Sequence, residues 1–329
     1  MHPFSRNLRR LFFRLVSGGF TQTILSGVGY ISPRFIDLHH RSVLFEFETT
    51  DKNKFRGYFN KSKLECSKAL VILLHGWEGS SQSSYILKTL YSLHENGFDV
   101  IRLDFLDHGD THSWNEQIFH GNLLQEHFKA IEWISQTFAK FQEVHLIGFS
   151  LGGNYSIRIA LSNLSKKIPN LHHTIAISPA LSPEKATFMM DQYKILGRYF
   201  LNKWMNSIDK KVKAHPGLFE FDERKKYKTV MDLTDYIVRR TGKFDNAKSY
   251  FDAYTVYPKD FHKISSPITL ITAKDDPIIP VEDFENLSAE EMSGLLNVII
   301  LPRGGHNGFF TDSLSRPVYL KYIQKILSS

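Results

Sequence analysis

The sequence predicts an α/β protein: a mostly parallel, twisted sheet with helices on both faces and a helical cap inserted late in the chain. Two observations lead there. Six short runs rich in Val, Ile and Leu are apolar almost throughout: "ALVILLHG" (69–76), "DVIRLDF" (99–105), "EVHLIGFS" (143–150), "HHTIAIS" (172–178), "SPITLITAKDD" (266–276) and "NVIILPRGGH" (297–306). That is the pattern of parallel strands covered on both faces. Between them lie segments with apolar residues at helical spacing, so strands and crossover helices alternate.

In chain order, residues 1–36 form a first segment with Arg6, Arg9, Arg10, Arg14 and Arg34 and no acid, and with Leu8, Leu11, Phe12 and Leu15 at helical spacing. A basic amphipathic helix of this kind docks on the body of the protein or rests on a membrane surface, and residues 1–30 are the candidate for such peripheral contact. Arg14 interrupts the apolar run and no small-residue cleavage site follows, which argues against a signal peptide. Residues 37–182 make the first part of the core. "RSVLFEFETTDKNKFRGYF" (41–59) alternates apolar and polar residues, the signature of an antiparallel hairpin at the sheet edge. "SSYILKTLYSLHENG" (83–97) sets Ile86, Leu87, Leu90 and Leu93 on one helical face before a stop at Gly97, and "LLQEHFKAIEWISQTF" (123–138) does the same with Leu124, Phe128, Ile131 and Ile134.

From 183 to 255 the alternation lapses: "KATFMMDQYKILGRYFLNKWMNS" (185–207) reads as helix and "KAHPGLFEFDERKKYKTVMD" (213–232) as basic and irregular. This is the cap, too short to bury an independent core of its own. Residues 256–329 return to strands and complete the sheet.

The 329 residues, 42% hydrophobic and 13% aromatic, suffice for a large core. One cysteine, Cys66, makes no internal disulfide and no thiolate metal cluster, and a reducing, cytoplasmic setting is the expectation. The net charge of +7 sits largely in the first segment, and the basic run "RKKYK" (224–228) comes with no nucleic-acid motif, so no nucleic-acid partner is expected. No stretch reaches the ~18–20 apolar residues of a membrane-spanning helix.

The chemistry concentrates at strand ends. "GFSLGG" places Gly148 and Gly152 two residues either side of Ser150, between a strand and a helix. Small residues there permit a turn sharp enough to project the hydroxyl from the end of the sheet. A serine hydroxyl attacks only when a base takes its proton and a third group orients the base. His306, after the last strand, is the candidate base, and Asp275 or Asp276, after the strand before it, the candidate acid. An oxyanion needs two backbone donors: the N–H of Leu151, at the helix start, and the N–H of Trp77, just after His75 and Gly76 close the first apolar strand. The position of His75 at that loop assigns it a hydrogen-bonding, structural role.

"LDFLDHGDTHSWNE" (103–116) crowds Asp104, Asp107, His108, Asp110 and His112 together. Oxygen ligands for Mg²⁺ or Ca²⁺ are one reading. Gly109 and the preceding strand oppose the helix that would align His108 with His112, and the glycine spacing is not that of an EF-hand, which favours a loop that organises its neighbours without metal.

Taken together, "HGWEGSS", "GFSLGGN", "AKDDPIIP" and "GGHNGFF" resemble motifs of the α/β-hydrolase superfamily over roughly residues 40–325, and within it the YheT-like serine hydrolases. The resemblance implies the chain order Ser150, Asp276, His306, with Asp276 favoured over Asp275 by its place four residues before Pro280. It implies hydrolysis of carboxylic esters with an apolar acyl or lipid-like group, and no metal or organic cofactor. Acyl transfer by the same triad, or a non-catalytic binding protein of this fold, are the alternatives. The segment "DFLDHGDT" overlays a D-x-R-G-H-G-x-S-type family loop, with Leu106 and Asp107 departing from it. Asp104 and His108 are then expected to hydrogen-bond backbone around the nucleophile and oxyanion loops. The aromatic and sulfur-bearing residues Phe188, Met189, Met190, Tyr193, Phe200 and Trp204 suggest an apolar substrate, although a cap also packs its own underside this way.

Overall fold

A computed structural model describes residues 17–28, 31–165, 167–168, 170–217, 226–241, 243–289, 294–311 and 313–328. Leu8, Leu11, Phe12 and Leu15, with the first four arginines, lie outside the described residues.

Eight strands form one sheet: β1 (Val43–Glu48), β2 (Lys54–Asn60), β3 (Leu70–Leu74), β4 (Asp99–Asp104), β5 (Val144–Phe149), β6 (Leu171–Ile177), β7 (Ile268–Ala273) and β8 (Leu296–Leu301), in the spatial order β1-β2-β4-β3-β5-β6-β7-β8. The edge hairpin β1–β2 is antiparallel and β2 runs antiparallel to β4, while every pairing from β4 to β8 is parallel. All five residues of β3 and all six of β5 are buried, as their uninterrupted apolar runs require.

Helices α1 (Gly19–Val28) and α2 (Pro33–His40) precede the sheet. Crossovers α3 (Ser84–Glu95), α4 (Leu124–Ile134) and α5 (Leu151–Ser162) follow β3, β4 and β5. Two apolar cores result, one on each face: Ile72, Phe105, Leu146 and Tyr155 belong to one, Val71, Leu90, Phe149 and Ile177 to the other. Burying a Leu, Ile or Phe side chain contributes roughly 1.5–3 kcal/mol, which pins the register of each strand. Gly97, with φ +88, ends α3. The predicted helix over 123–138 does not stay α-helical: its last turn, Ser135–Ala139, widens into a π-helix and ends at Lys140, φ +44.

The insertion between β6 and β7 is helical, with α6 (Pro183–Gln192), α7 (Lys194–Ala214), α8 (Val230–Thr241) and α9 (Ala247–Asp252). The expectation of an irregular stretch through residue 232 gives way here, because α8 begins at Val230, where Asp191 accepts the N–H groups of Val230 and Met231 and caps it from α6. Helices α10 (Glu282–Ala289) and α11 (Tyr319–Ile326) complete the second part. Because β3 connects outward to β4 on one side and lies beside β5 on the other, the strand order reverses there, and the crevice beyond the strands' carboxyl ends is where such a sheet binds ligands.

Candidate active site

Ser150 stands where β5 becomes α5. Its N–H still bonds as in a strand, to Ile177 O at 2.9 Å, while its C=O accepts the first helical bond, from Asn154 N at 3.0 Å. Meeting both demands in one residue forces φ +54 and ψ −117, a conformation that costs a non-glycine residue about 1–3 kcal/mol. The flanking glycines are obligatory: a Cβ on Gly148 would lie 2.1 Å from Gly152 O, and one on Gly152 2.4 Å from His75 O.

His306 follows β8, and its Nδ1 lies 3.0 Å from Asp276 Oδ2, both side chains being buried. The other oxygen of Asp276 accepts the N–H groups of Ile278 and Ile279, at 2.8 and 3.0 Å, fixing the carboxylate with one oxygen free for the imidazole. Asp275 points elsewhere. Its Oδ1 accepts from Gly304 and Gly305 N–H, at 2.7 and 2.9 Å, and so braces the backbone leading to His306. Ser150 and His306 open onto the same cavity of about 330 Å³.

The loop carrying Trp77 is held on every side. Gly76 N–H donates to the Tyr85 hydroxyl (3.0 Å), Glu78 N–H to His108 Nε2 (3.1 Å), and Lys203 Nζ from α7 donates to Glu78 O (2.7 Å). Glu78 adopts φ +54. No hydrogen bond engages the Trp77 or Leu151 N–H among the described residues, and both residues line the cavity with Ser150. Burial pushes the Glu78 carboxyl in the same wall up to about 7, against the pull of Lys203.

His75 and His108 form a buried pair under this loop, rings 5.0 Å apart. His75 Nε2 accepts from Phe105 N–H (3.1 Å), leaving Nδ1–H to donate to Gly76 O (2.8 Å). His108 likewise accepts at Nε2 and donates from Nδ1 to Leu106 O at 2.8 Å. Burial lowers the pKa of both, His75 to about 4, so each stays neutral in the tautomer its bonds demand. Asp104 accepts from Ser81 N–H at 2.6 Å, and a Cβ on Gly109 would lie 2.6 Å from its other oxygen. Asp107, at φ +60, takes the left-handed conformation that the departure from the family loop demands.

The carboxylates of this loop do not converge. Asp104 faces Ser81, Asp107 bonds Lys211 Nζ at 2.8 Å, and Asp110 pairs with Lys210 at 3.2 Å; His112 Nε2 meets Ser207 Oγ at 2.8 Å. The loop therefore connects the loop carrying Trp77 to α7 of the cap.

Of the cap residues named from sequence, Met190, Phe200 and Trp204 line the cavity. Trp77 stacks on Phe200 (5.9 Å, 7°) with its edge to Trp204 (5.2 Å). Phe188 and Met189 do not line it, because the helical period of α6 turns Ala186, Thr187 and Met190 inward and leaves Phe188 58% exposed. Tyr193 instead packs on Phe20 of α1 at 5.8 Å.

Sequence reasoning missed α1. Thr23 Oγ1 accepts the His306 N–H (2.9 Å), and Ser26 Oγ donates to His306 O (2.8 Å). Gln22 makes two bonds to the Phe310 backbone, 2.7 and 2.9 Å. Gly19 fits against Asp275, where a Cβ would lie 1.7 Å from the carbonyl oxygen. Gln22, Thr23 and Ser26 share one helical face, a detectable spacing, but nothing local names partners some 280 residues away. Thr23→Val keeps the shape and removes the acceptor, leaving a buried N–H unpaired at about 1–3 kcal/mol. Steady-state kinetics on an ester should show kcat reduced about tenfold with KM nearly unchanged, the pattern expected when the candidate base His306 is displaced; an unchanged kcat would remove Thr23 from the positioning role.

A family model described as the alpha/beta hydrolase fold matches residues 69–313. Monoacylglycerol lipase ABHD2 of Danio rerio is 26% identical over 218 residues, covering 60% of this chain and 49% of that protein. The Mus musculus protein of the same name is 21% identical, covering 78% and 64%. The chain thus spans between about half and two thirds of the length of these relatives. Among solved structures, a Pyrococcus furiosus esterase superposes with a TM-score of 0.62 at 16% identity, over 91% of this chain and 94% of the other. Mouse alpha/beta hydrolase domain-containing protein 10 gives 0.52 at 16% identity, over 87% of this chain and 98% of the other. No helix among the described residues is long and apolar enough to cross a membrane. With the family match spanning most of the sheet, the turn at Ser150 and the loop at His306, this chain belongs to the α/β-hydrolase fold family.

Proposed function

We propose that the protein is a serine hydrolase of carboxylic esters with an apolar acyl or lipid-like group, a monoacylglycerol being the substrate class its relatives' names suggest. The observation that carries this reading is the strained Ser150 opening, together with His306, onto a mostly apolar cavity under the cap. Ser150 Oγ attacks the ester carbonyl as His306 takes its proton, and Asp276 holds the imidazole and stabilises its charged form. The Trp77 and Leu151 N–H groups receive the oxyanion. His306 then protonates the leaving alcohol, and water repeats the sequence to free the acid. No metal or organic cofactor enters these steps. The motifs "HGWEGSS" and "GFSLGGN" support a YheT-like variant of the fold, acting in the cytoplasm or at a lipid surface reached through residues 1–30.

A fluorophosphonate probe should label the wild-type protein and leave Ser150→Ala unlabelled, and the variant should lose turnover across an ester panel of rising chain length. Labelling or turnover that survives in Ser150→Ala would overturn the proposal, and a folded wild-type protein that takes no label would favour a binding protein.

A further inference from the structure

At the other end of the sheet from Ser150, three donors meet that no step above uses. Glu143 precedes β5, His145 lies within it, and His172 lies in the neighbouring β6. Their ligand atoms all fall within 4.8 Å of one another, with Glu143 Oε2 3.8 Å from His145 Nε2 and 3.7 Å from His172 Nδ1. Glu143 and His145 are two apart in an extended segment, so their side chains leave on the same face.

His172 joins them through an irregularity. Val144 pairs with Leu171, but His145 pairs with His173, so the register skips His172. Two residues of β6 then oppose one of β5, the arrangement of a β-bulge, which re-aims a side chain out of the regular alternation. The imidazoles of His145 and His172 meet edge to face at 5.6 Å.

His145 is the unusual member. Its residue is 4% exposed, its Nδ1 is buried without a hydrogen bond among the described residues, and its Nε2 is directed at the carboxylate at a distance too long for one. A metal on Nε2 would give that nitrogen the partner Glu143 is too distant to supply, with the ring proton carried by Nδ1.

We propose that Glu143, His145 and His172 form a divalent-metal site of the zinc type, tying the amino-terminal ends of β5 and β6. Two imidazoles and one carboxylate are a donor set that suits Zn²⁺, with water as fourth ligand. Metal–ligand bonds of about 2.0–2.2 Å in a tetrahedron bring ligand atoms to about 3.4 Å of one another. Glu143 and His172, each with a side chain 57% exposed, have the freedom to close that distance onto the fixed His145. The site is independent of the hydrolase reading.

Isothermal titration of Zn²⁺ into the full chain tests it, with Glu143→Gln and His172→Ala as variants whose exposed positions leave the fold intact. One saturable site is expected, weakened at least about tenfold by either change and unaffected by Ser150→Ala. Thermal melts should show a zinc-dependent rise in Tm in the wild type that His172→Ala loses. Absence of saturable binding into the millimolar range, or binding that both variants retain, would overturn the proposal.

Discussion

Asp276→Asn should lower kcat by about 10⁴-fold while Asp275→Asn stays within about tenfold of the wild type. The first figure follows from tautomer control in the proposed triad: an amide at position 276 donates to His306 Nδ1, which turns the ring's proton to Nε2 and removes the base proposed for Ser150. The second follows from what Asp275 does. Its Oδ1 accepts two backbone N–H groups, from Gly304 and Gly305, and an asparagine oxygen accepts them as well. Single-turnover hydrolysis of an activated ester by both variants, with circular dichroism as a check on folding, decides the matter. Collapse of Asp275→Asn with Asp276→Asn active would reverse the roles of the two acids.

Lys211→Ala should cost the fold about 3–5 kcal/mol, as expected when one member of a buried ion pair is removed and its partner is left charged in the interior. Lys211 Nζ and Asp107 Oδ1 lie 2.8 Å apart, with side chains 2% and 5% exposed. The same ammonium bonds the carbonyls of His112 and Asn115, and the other oxygen of Asp107 accepts Phe119 N–H at 2.8 Å. Removing the lysine therefore strands three groups, the Asp107 carboxylate and the two carbonyls. The double variant Asp107→Leu/Lys211→Met should recover part of the loss, because neither side chain then needs a partner. Urea denaturation of the single and double variants measures both effects, and a Lys211→Ala protein within about 0.5 kcal/mol of wild type would show that water replaces the amine.

The parallel sheet was legible because its strands are buried on both faces and so carry uninterrupted Val, Ile and Leu, as in 70–74 and 144–149. Ser150 and His306 were legible for a related reason: residues directly after such strands stand at the sheet's carboxyl edge, and small neighbours betray the tight turn. What escaped depends on contacts that have no local signature. The helix at Val230 is capped from Asp191 on another helix, the inward face of α6 excludes the large Phe188, and α1 carries uncharged polar residues whose partners lie at the far end of the sequence. The loop at 103–116 presents the converse case, since its density of acids and histidines comes from bracing two neighbouring elements.

The bonds between α1 and the His306 loop join segments 280 to 288 residues apart, whereas the sheet grows largely from neighbours in sequence. Contacts of such separation carry the largest loop-closure cost and form late in folding. During refolding, recovery of sheet and helix content should therefore precede recovery of turnover, and the lag between them would time the moment when the first described helix finds the last loop.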